Sequence, residues 1–147
     1  MKKVMTQEDK NKLLLQDLCA RLPYDVICEV YDPLQDYEED YFNAHLIHID
    51  AWTSRCYFWG CSETDPYKIW QVKPYLRPMS SMTGEEMEKY HSYCECDDKD
   101  FTGEILYFDT IDSFDYLNSI HVDYRGLIPL DLAIEVTQEN NPYGKLK

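Results

Sequence analysis

A series of short β-type segments between residues 25 and 72 constrains the fold most. These runs of β-branched and aromatic residues occupy 25–31, 41–52, 55–59 and 67–72. In the first run, Val26, Cys28 and Val30 alternate with their neighbours, which is typical of a strand with one buried face. The last run is expected to stop before Pro74, because proline cannot donate to a sheet ladder. Short aromatic strands at this spacing predict a small antiparallel sheet, with an SH3-like barrel as its closed form.

Helical patterns lie on both sides of this region. Thr6 and Asp9 form a variant of the capping box, which predicts a helix over 7–21. Apolar residues recur at helical spacing until Pro23 and form its expected buried face: Leu15, Leu18, Cys19 and Leu22. Thr83 and Glu86 form a clearer capping box, so a second helix is expected to follow and to end near residues 93–95.

A third helix and a final strand complete the expected fold. Asp112 or Ser113 is predicted to cap the helix, whose buried stripe is Phe114, Leu117, Ile120 and His121. The strict alternation of apolar residues over 130–136 then predicts a strand. The expected class is therefore α+β, with an N-terminal helix, a small antiparallel sheet, two further helices and a final strand.

The chain is expected to form one domain, residues 1–147, because it contains no repeat and no linker rich in Gly, Pro or Ser. No run approaches the roughly 20 apolar residues of a membrane span. Polar residues rather than an apolar signal core follow Met1-Lys2-Lys3. We therefore expect a cytoplasmic protein without membrane contact, whose six cysteines stay reduced.

Acidic residues outnumber basic ones by 28 to 14, which leaves a formal net charge of −14 with histidines neutral. Nucleic-acid binding relies on Lys and Arg to neutralise phosphates, so direct DNA or RNA binding is not expected. A basic protein partner fits this charge, because complementary fields accelerate encounter. The simpler alternative is that the charge only keeps a small protein soluble.

The acidic residues concentrate in two segments without helical or strand periodicity, near 36–40 and 97–100. Such segments are usually exposed, and exposed charge is available to a partner. The candidate partner-binding residues are Glu38, Glu39, Asp40, Asp97, Asp98 and Asp100.

Three segments carry a resemblance to known sequences. They read DLCARLPY at 17–24, KPYLRPMSSMT at 73–83 and HVDYRGLIP at 121–129, and together they cover about a fifth of the chain. In this order they resemble a group of small uncharacterised proteins from gut Bacteroidetes and their prophages. The resemblance implies no activity. It does imply a phage or mobile-element setting, in which a host or defence protein would be the basic partner.

A zinc site is one candidate chemistry. His91, Cys94 and Cys96 lie close together in sequence, with the tight spacing typical of structural zinc ligands. The alternative is that the cysteines are small buried hydrophobes, as cysteines commonly are. We adopt the alternative and expect neither metal nor cofactor.

A second candidate site gathers basic and polar residues from two segments of an otherwise acidic chain. Its members are Lys73, Tyr75, Arg77, His121, Asp123, Tyr124 and Arg125. Arg77 and Arg125 could clamp an anion bidentately. The competing interpretation is a hydrogen-bonded structural network, in which Arg125 ties its turn to the 73–81 segment.

The sequence contains neither a Gly-x-Ser-x-Gly elbow nor a glycine-rich phosphate loop, so no catalytic residue is assigned. The function expected from these patterns is a non-catalytic acidic protein-interaction module. The alternative is a small hydrolase or nucleotide-handling protein that uses the Arg/His/Asp cluster.

Overall fold

The computed structural model describes residues 4–33, 40–61, 66–97 and 106–144. Within these ranges the helices are α1 (Gln7–Arg21), α2 (Gly84–Tyr93) and α3 (Ile111–Ser119). The strands are β1 (Ile27–Tyr31), β2 (Tyr41–Asp50), β3 (Arg55–Phe58), β4 (Tyr67–Lys68), β5 (Val72–Pro78), β6 (Glu95–Asp97), β7 (Leu106–Phe108), β8 (Val122–Asp123) and β9 (Ile134–Glu135).

A mixed sheet with the strand order β4-β3-β2-β1-β5-β8 organises the fold, and β9 also pairs with β5. Pairing is antiparallel from β4 to β5, whereas β8 and β9 run parallel to β5. Strands β6 and β7 form a separate antiparallel hairpin between α2 and α3. The α+β class is confirmed.

The SH3-like barrel is not formed, because the sheet stays open between its β4 and β8 edges. The second half of β5 does not return to β4. It pairs instead with two parallel strands that are reached only after α2 and α3, as parallel pairing requires a long connection. The expected small antiparallel sheet is therefore extended by two parallel strands into a mixed sheet.

Helix α1 supplies one side of the hydrophobic core. Leu14 and Leu18 are buried and pack with inward-facing residues of the sheet. Those partners include Val26, Cys28, Val30, Phe58, Val72 and Leu76. Each fully buried side chain of this kind contributes about 1.5–3 kcal/mol relative to exposure. The buried face of α1 also contains Asp17 and Arg21, whereas the sequence pattern placed Cys19 there, which is exposed.

Strand β5 passes through Pro74, contrary to the expectation that the strand would end before it. Pro74 lies opposite Cys28 of β1 and is buried. The parallel strands begin to pair with β5 only at Tyr75. A proline is compatible with a strand wherever its nitrogen faces no ladder acceptor.

The final strand is much shorter than its alternating pattern predicts. Only Ile134 and Glu135 are in β9, and the preceding residues form consecutive turns. The amides of Leu130 and Leu132 both donate to the carbonyl of Leu127, and Asp131 adopts a left-handed φ of 60°. The turns bury Leu127 and Leu132. The alternation of apolar and polar residues over 130–136 therefore reflects the packing of these turns, although it matches the pattern of a strand.

Candidate functional site

A buried ion pair joins α1 to β8 at the centre of the sequence-predicted cluster. Asp17 and Arg21 are one helical turn apart, and both are 0% exposed. Arg21 Nε donates to Asp17 Oδ2 over 2.7 Å, and Arg21 Nη2 donates to the carbonyl oxygen of Val122 over 2.7 Å. Arg21 Nη1 has no hydrogen-bond partner among the described residues. Arg21 therefore depends on its two existing hydrogen bonds, and the loss of either one would leave more of its buried guanidinium without a partner.

Arg125 adds a second positive charge to the same carboxylate. Its Nε lies 3.3 Å from Asp17 Oδ1, and its guanidinium lies 5.1 Å from the Tyr124 ring centre, which Arg21 also approaches at 5.3 Å. Burial raises the pKa of Asp17, while the two arginines act in the opposite direction. The expectation that Arg125 ties its turn to the 73–81 segment is wrong, because its charged partner lies on α1.

Asp123 is used as a cap for the turn that follows it. Its Oδ1 accepts hydrogen bonds from the amides of Gly126 (3.0 Å) and Leu127 (2.9 Å). Its Oδ2 accepts one from the amide of Ile128 at 2.9 Å. A carboxylate bonded to three amides is held in one orientation. Asp123 therefore stabilises the turn at residues 126–128 by accepting hydrogen bonds from its backbone amides.

His121 stacks on the ring of Tyr143, with 3.8 Å between ring centres and 9° between planes. Burial, with the charges of Arg21 and Arg77, lowers the pKa of His121 to about 4. The ring is neutral at pH 7 and poorly matched to general acid-base work there. The Tyr143 hydroxyl donates to the carbonyl of Tyr75 at 2.7 Å and accepts from the amide of Ile27 at 3.2 Å.

Arg77 connects β5 to the start of α2. Its Nη1 and Nη2 donate to the two carboxylate oxygens of Glu86 at 2.8 and 2.6 Å, and Nη2 also donates to the Ser81 carbonyl at 3.1 Å. This pairing lowers the pKa of Glu86 to about 2. The remaining two cluster members are also engaged within the chain: Lys73 Nζ lies 3.1 Å from Asp131 Oδ1, and the Tyr75 hydroxyl donates to Asn43 Oδ1 at 2.9 Å.

The pairing of β5 with β8 does bring the two segments of the cluster together. Most of their charges and polar groups are nevertheless engaged in contacts that hold α1, α2, β5 and β8 in place, although His121 Nδ1 and Arg125 Nε have no hydrogen-bond partner among the described residues. Of the two interpretations of the cluster, the geometry supports the structural network.

Glu86→Gln is expected to destabilise the fold by about 1–3 kcal/mol, because it removes the charge that Arg77 pairs with. The pKa of Glu86 is depressed, so its contribution is present above pH 4.5 and is lost as pH falls through about 2. Urea unfolding between pH 7 and pH 2 measures both effects. The matched control is Glu85→Gln, on the exposed neighbour, with an expected change within about 0.5 kcal/mol. Equal effects of the two variants would contradict the assignment.

The zinc candidate residues occupy separate environments. The His91 ring stacks on Tyr107 at 3.8 Å, Cys94 is half-buried and Cys96 is exposed. No group of three or more potential metal ligands converges within the described ranges. Cys28 and Cys56 are buried hydrophobes. Burial raises the pKa of both thiols, and the pKa of Cys56 is raised to about 12. The expectation that the cysteines are core residues is therefore wrong for Cys96, as for Cys19.

Most of the acidic residues predicted to bind a partner lie outside the described ranges: Glu38, Glu39, Asp98 and Asp100. Asp40 is exposed, and its carbonyl accepts from the amide of Asp32 at 2.7 Å. Asp97 pairs with Leu106 in the β6–β7 hairpin.

A different surface, which the sequence analysis missed, combines charge with exposed apolar groups. It is formed by α2, α3 and the β6–β7 hairpin, and we call it the acidic-aromatic surface. Its exposed apolar side chains are Ile111 (81%), Phe108 (52%), Tyr107 (42%), Tyr93 (39%) and Phe114 (38%). Its exposed acids are Glu85, Glu88, Glu95, Asp109, Asp112 and Asp115.

Local contacts hold α2, α3 and the hairpin together. The Thr110 hydroxyl donates to the Tyr93 carbonyl at 2.6 Å, and the Tyr93 and Tyr116 rings are 5.6 Å apart. The sequence pattern placed Phe114 and Leu117 in a buried stripe. Leu117 is buried, but Phe114 is exposed, and the other buried residues of α3 are Ser113 and Asn118. The helix begins after Thr110, whose side chain accepts from the Ser113 amide, rather than at Asp112 or Ser113. The signal for this surface in the sequence was Ile111, a large apolar residue at the first position of α3.

No protein-family model, curated protein or solved structure matches this chain. Among the described residues, the helices are all too short or too polar to cross a bilayer.

Proposed function

We propose that this protein is a non-catalytic binding module for a basic protein partner, which docks on the acidic-aromatic surface. The observation that carries the proposal is the coincidence of exposed apolar side chains and an excess of acidic residues among the described residues of one packed unit. Exposed aromatic and aliphatic anchors that are rimmed by charge are typical of protein interaction sites. The partner class we propose is a host or defence protein, as implied by the resemblance to small uncharacterised proteins of gut Bacteroidetes and their prophages.

The charge of this surface is strongly one-sided. The described residues of the unit, 84–97 and 106–119, contain eight acids and one lysine. That lysine, Lys89, lies 5.5 Å from the Tyr116 ring centre, and one of the acids, Glu86, is paired with Arg77. A partner with lysines or arginines around an apolar face would meet a complementary field.

The hydrolase or nucleotide-handling alternative finds no support in the geometry. Arg77 and Arg125 are paired with carboxylates, Asp123 caps a turn and His121 is neutral and stacked. None of these four groups is arranged as a nucleophile and base in contact. We therefore retain the binding function alone.

A helical peptide of lysine and leucine, with leucine confined to one face, provides a defined probe for the acidic-aromatic surface. We expect it to bind, whereas a glutamate-leucine peptide of the same pattern should not. Affinity should fall as salt rises from low to about 0.5 M, because screening weakens charge attraction. Isothermal titration calorimetry or fluorescence anisotropy measures how the affinity depends on the charge of the peptide and on the salt concentration.

Two variants separate charge from apolar contact. Glu88→Gln/Asp112→Asn should weaken the lysine-leucine peptide about 3–10-fold at low salt, and Ile111→Ala should weaken it about tenfold at any salt. The control Glu8→Gln/Glu139→Gln removes the same charge from exposed positions elsewhere and should change affinity less than twofold. Equal weakening by both double variants would show that only net charge matters, which would overturn the proposed site.

A further inference from the structure

A groove of about 260 Å³ lies between the first half of α1 and the turns before β9. Its apolar base includes Leu14, Val72 and Leu132, which are all buried in the core. Trp70 forms one wall and is 55% exposed. The volume is slightly below the range of about 300–1,000 Å³ for ligand pockets, so it suits a ligand of about one ring.

Polar groups of mixed character surround this apolar base. Gln7, Lys10 and Asn11 share the face of α1 that contains Leu14, because their spacing of three and four residues aligns them. The Gln7 amide donates to Asn11 Oδ1 at 3.0 Å, which holds both side chains over the groove. Amides both donate and accept hydrogen bonds, as hydroxyl groups do.

Two ammonium groups line the groove in a protein of net charge −14. Lys10 forms no ion pair with any residue in the described parts of the chain, so its charge is available. Lys73 is held at 3.1 Å by the carboxylate of Asp131, which is itself 90% exposed and reaches the groove from the opposite side. The groove thus offers positive charge to an anion and a carboxylate to a hydrogen-bond donor.

We propose that this groove binds a small hydroxylated ring that carries one anionic group, either a sugar acid or a sugar phosphate. The anionic group binds to Lys10, because the charge of Lys73 is already paired with Asp131. The ring packs on the exposed face of Trp70, since an indole combines a large apolar face with a polar edge. Hydroxyl groups bond to the Asp131 carboxylate and to the amides of Gln7 and Asn11. The groove uses no residue of the acidic-aromatic surface.

The indole N–H resonances of the three tryptophans provide a direct test in solution. Glucuronic acid, glucose 6-phosphate and glucose are titrated separately into ¹⁵N-labelled protein. An anionic ligand should shift the Trp70 resonance with a Kd of about 1–10 mM, as expected for a ligand of this size. Trp52 and Trp59, which lie outside the groove, should not shift. Tighter binding of glucuronic acid would assign a sugar acid, and tighter binding of glucose 6-phosphate a sugar phosphate.

Paired lysine variants check the site without depending on Trp70. Lys10→Met should weaken binding of the tighter anion at least threefold. Lys12→Met removes the same charge from an exposed position paired with Glu8, and it should leave the affinity unchanged. Binding of glucose as tight as that of either anion, equal effects of the two lysine variants, or an unshifted Trp70 resonance would each overturn the proposal.

Discussion

Asp17→Ala is expected to destabilise the fold by about 3–5 kcal/mol, because it leaves the fully buried Arg21 without its ion-pair partner. The same substitution removes the partner of Arg125, whose Nε lies 3.3 Å from Asp17. Urea unfolding at pH 7 measures the loss of stability. The dependence of the unfolding free energy on urea concentration should be the same for the variant and the parent protein. The matched control on the same helix is Glu8→Gln, an exposed carboxylate paired with Lys12, for which the change should stay within about 0.5 kcal/mol.

A second variant separates a structural network from a ligand site. Replacing the three charges together, as Asp17→Leu/Arg21→Met/Arg125→Met, should restore much of the stability that Asp17→Ala loses. Buried ion pairs can often be replaced by apolar residues of similar volume, because the cost of desolvating the charges disappears with them. A loss of under about 1 kcal/mol in Asp17→Ala would contradict the structural assignment of the cluster.

Acidification from pH 7 to pH 4 is expected to remove about 2–3 kcal/mol of stability through His121 alone. Its pKa is lowered from 6.5 to about 4, so the unfolded chain binds the proton more readily than the folded one. The contribution of His121 is complete above pH 6.5 and is lost progressively as pH falls towards 4. Most of this window lies above pH 4.5, below which the Glu86 contribution starts to decline.

His121→Phe keeps a ring for Tyr143 to stack on but cannot be protonated, so it should flatten the pH dependence between 6.5 and 4.5. The control is His48→Phe, at an exposed position beside the Tyr57 ring, where the pH dependence should match that of the parent protein. Unfolding free energies at half-unit pH steps measure the difference. Parallel curves for the parent protein and His121→Phe would contradict burial of a neutral imidazole.

Local chemistry explains which elements could be predicted from the sequence. The start of α1 is set by Thr6 and Asp9, whose reciprocal hydrogen bonds involve residues three apart, and α2 begins with the same arrangement at Thr83 and Glu86. The strands at 27–31, 41–50 and 55–58 were also predicted from their β-type residues, whereas the predicted strand over 67–72 is interrupted by a 3-10 helix at Ile69–Gln71. Elements defined by neighbours in sequence are therefore recovered with nearly correct bounds.

Elements defined by distant contacts were predicted poorly. Strand β5 continues beyond Pro74 because β8 and β9 reach it from far along the chain, and the open sheet has the same cause. The contact of Arg21 with Val122 spans 101 residues. The ion pair itself left a readable signal, because Asp17 and Arg21 share the helical face of Leu14 and Leu18.

Exposure was also hard to infer for the candidate sites. Phe114 has the spacing of a buried helical residue, yet it lies at the edge of the packed face of α3 and is 38% exposed. The predicted ligand-binding arginines stand out in an acidic sequence, but a basic residue among acids also finds partners most easily. Pairing of that kind accounts for Arg77, Arg125 and Arg21.

Mapping the lysine-leucine peptide on ¹⁵N-labelled protein tests most directly where this protein binds its partner. The proposed function predicts chemical-shift changes that cluster in α2 and α3, near Glu88, Ile111 and Phe114, and that weaken with added salt. The amides of Val122 and Asp123 should remain unshifted, because the charged cluster around them is structural. Shifts centred on residues 121–125, with α3 unaffected, would contradict the account and would make the Arg/His/Asp cluster the binding site.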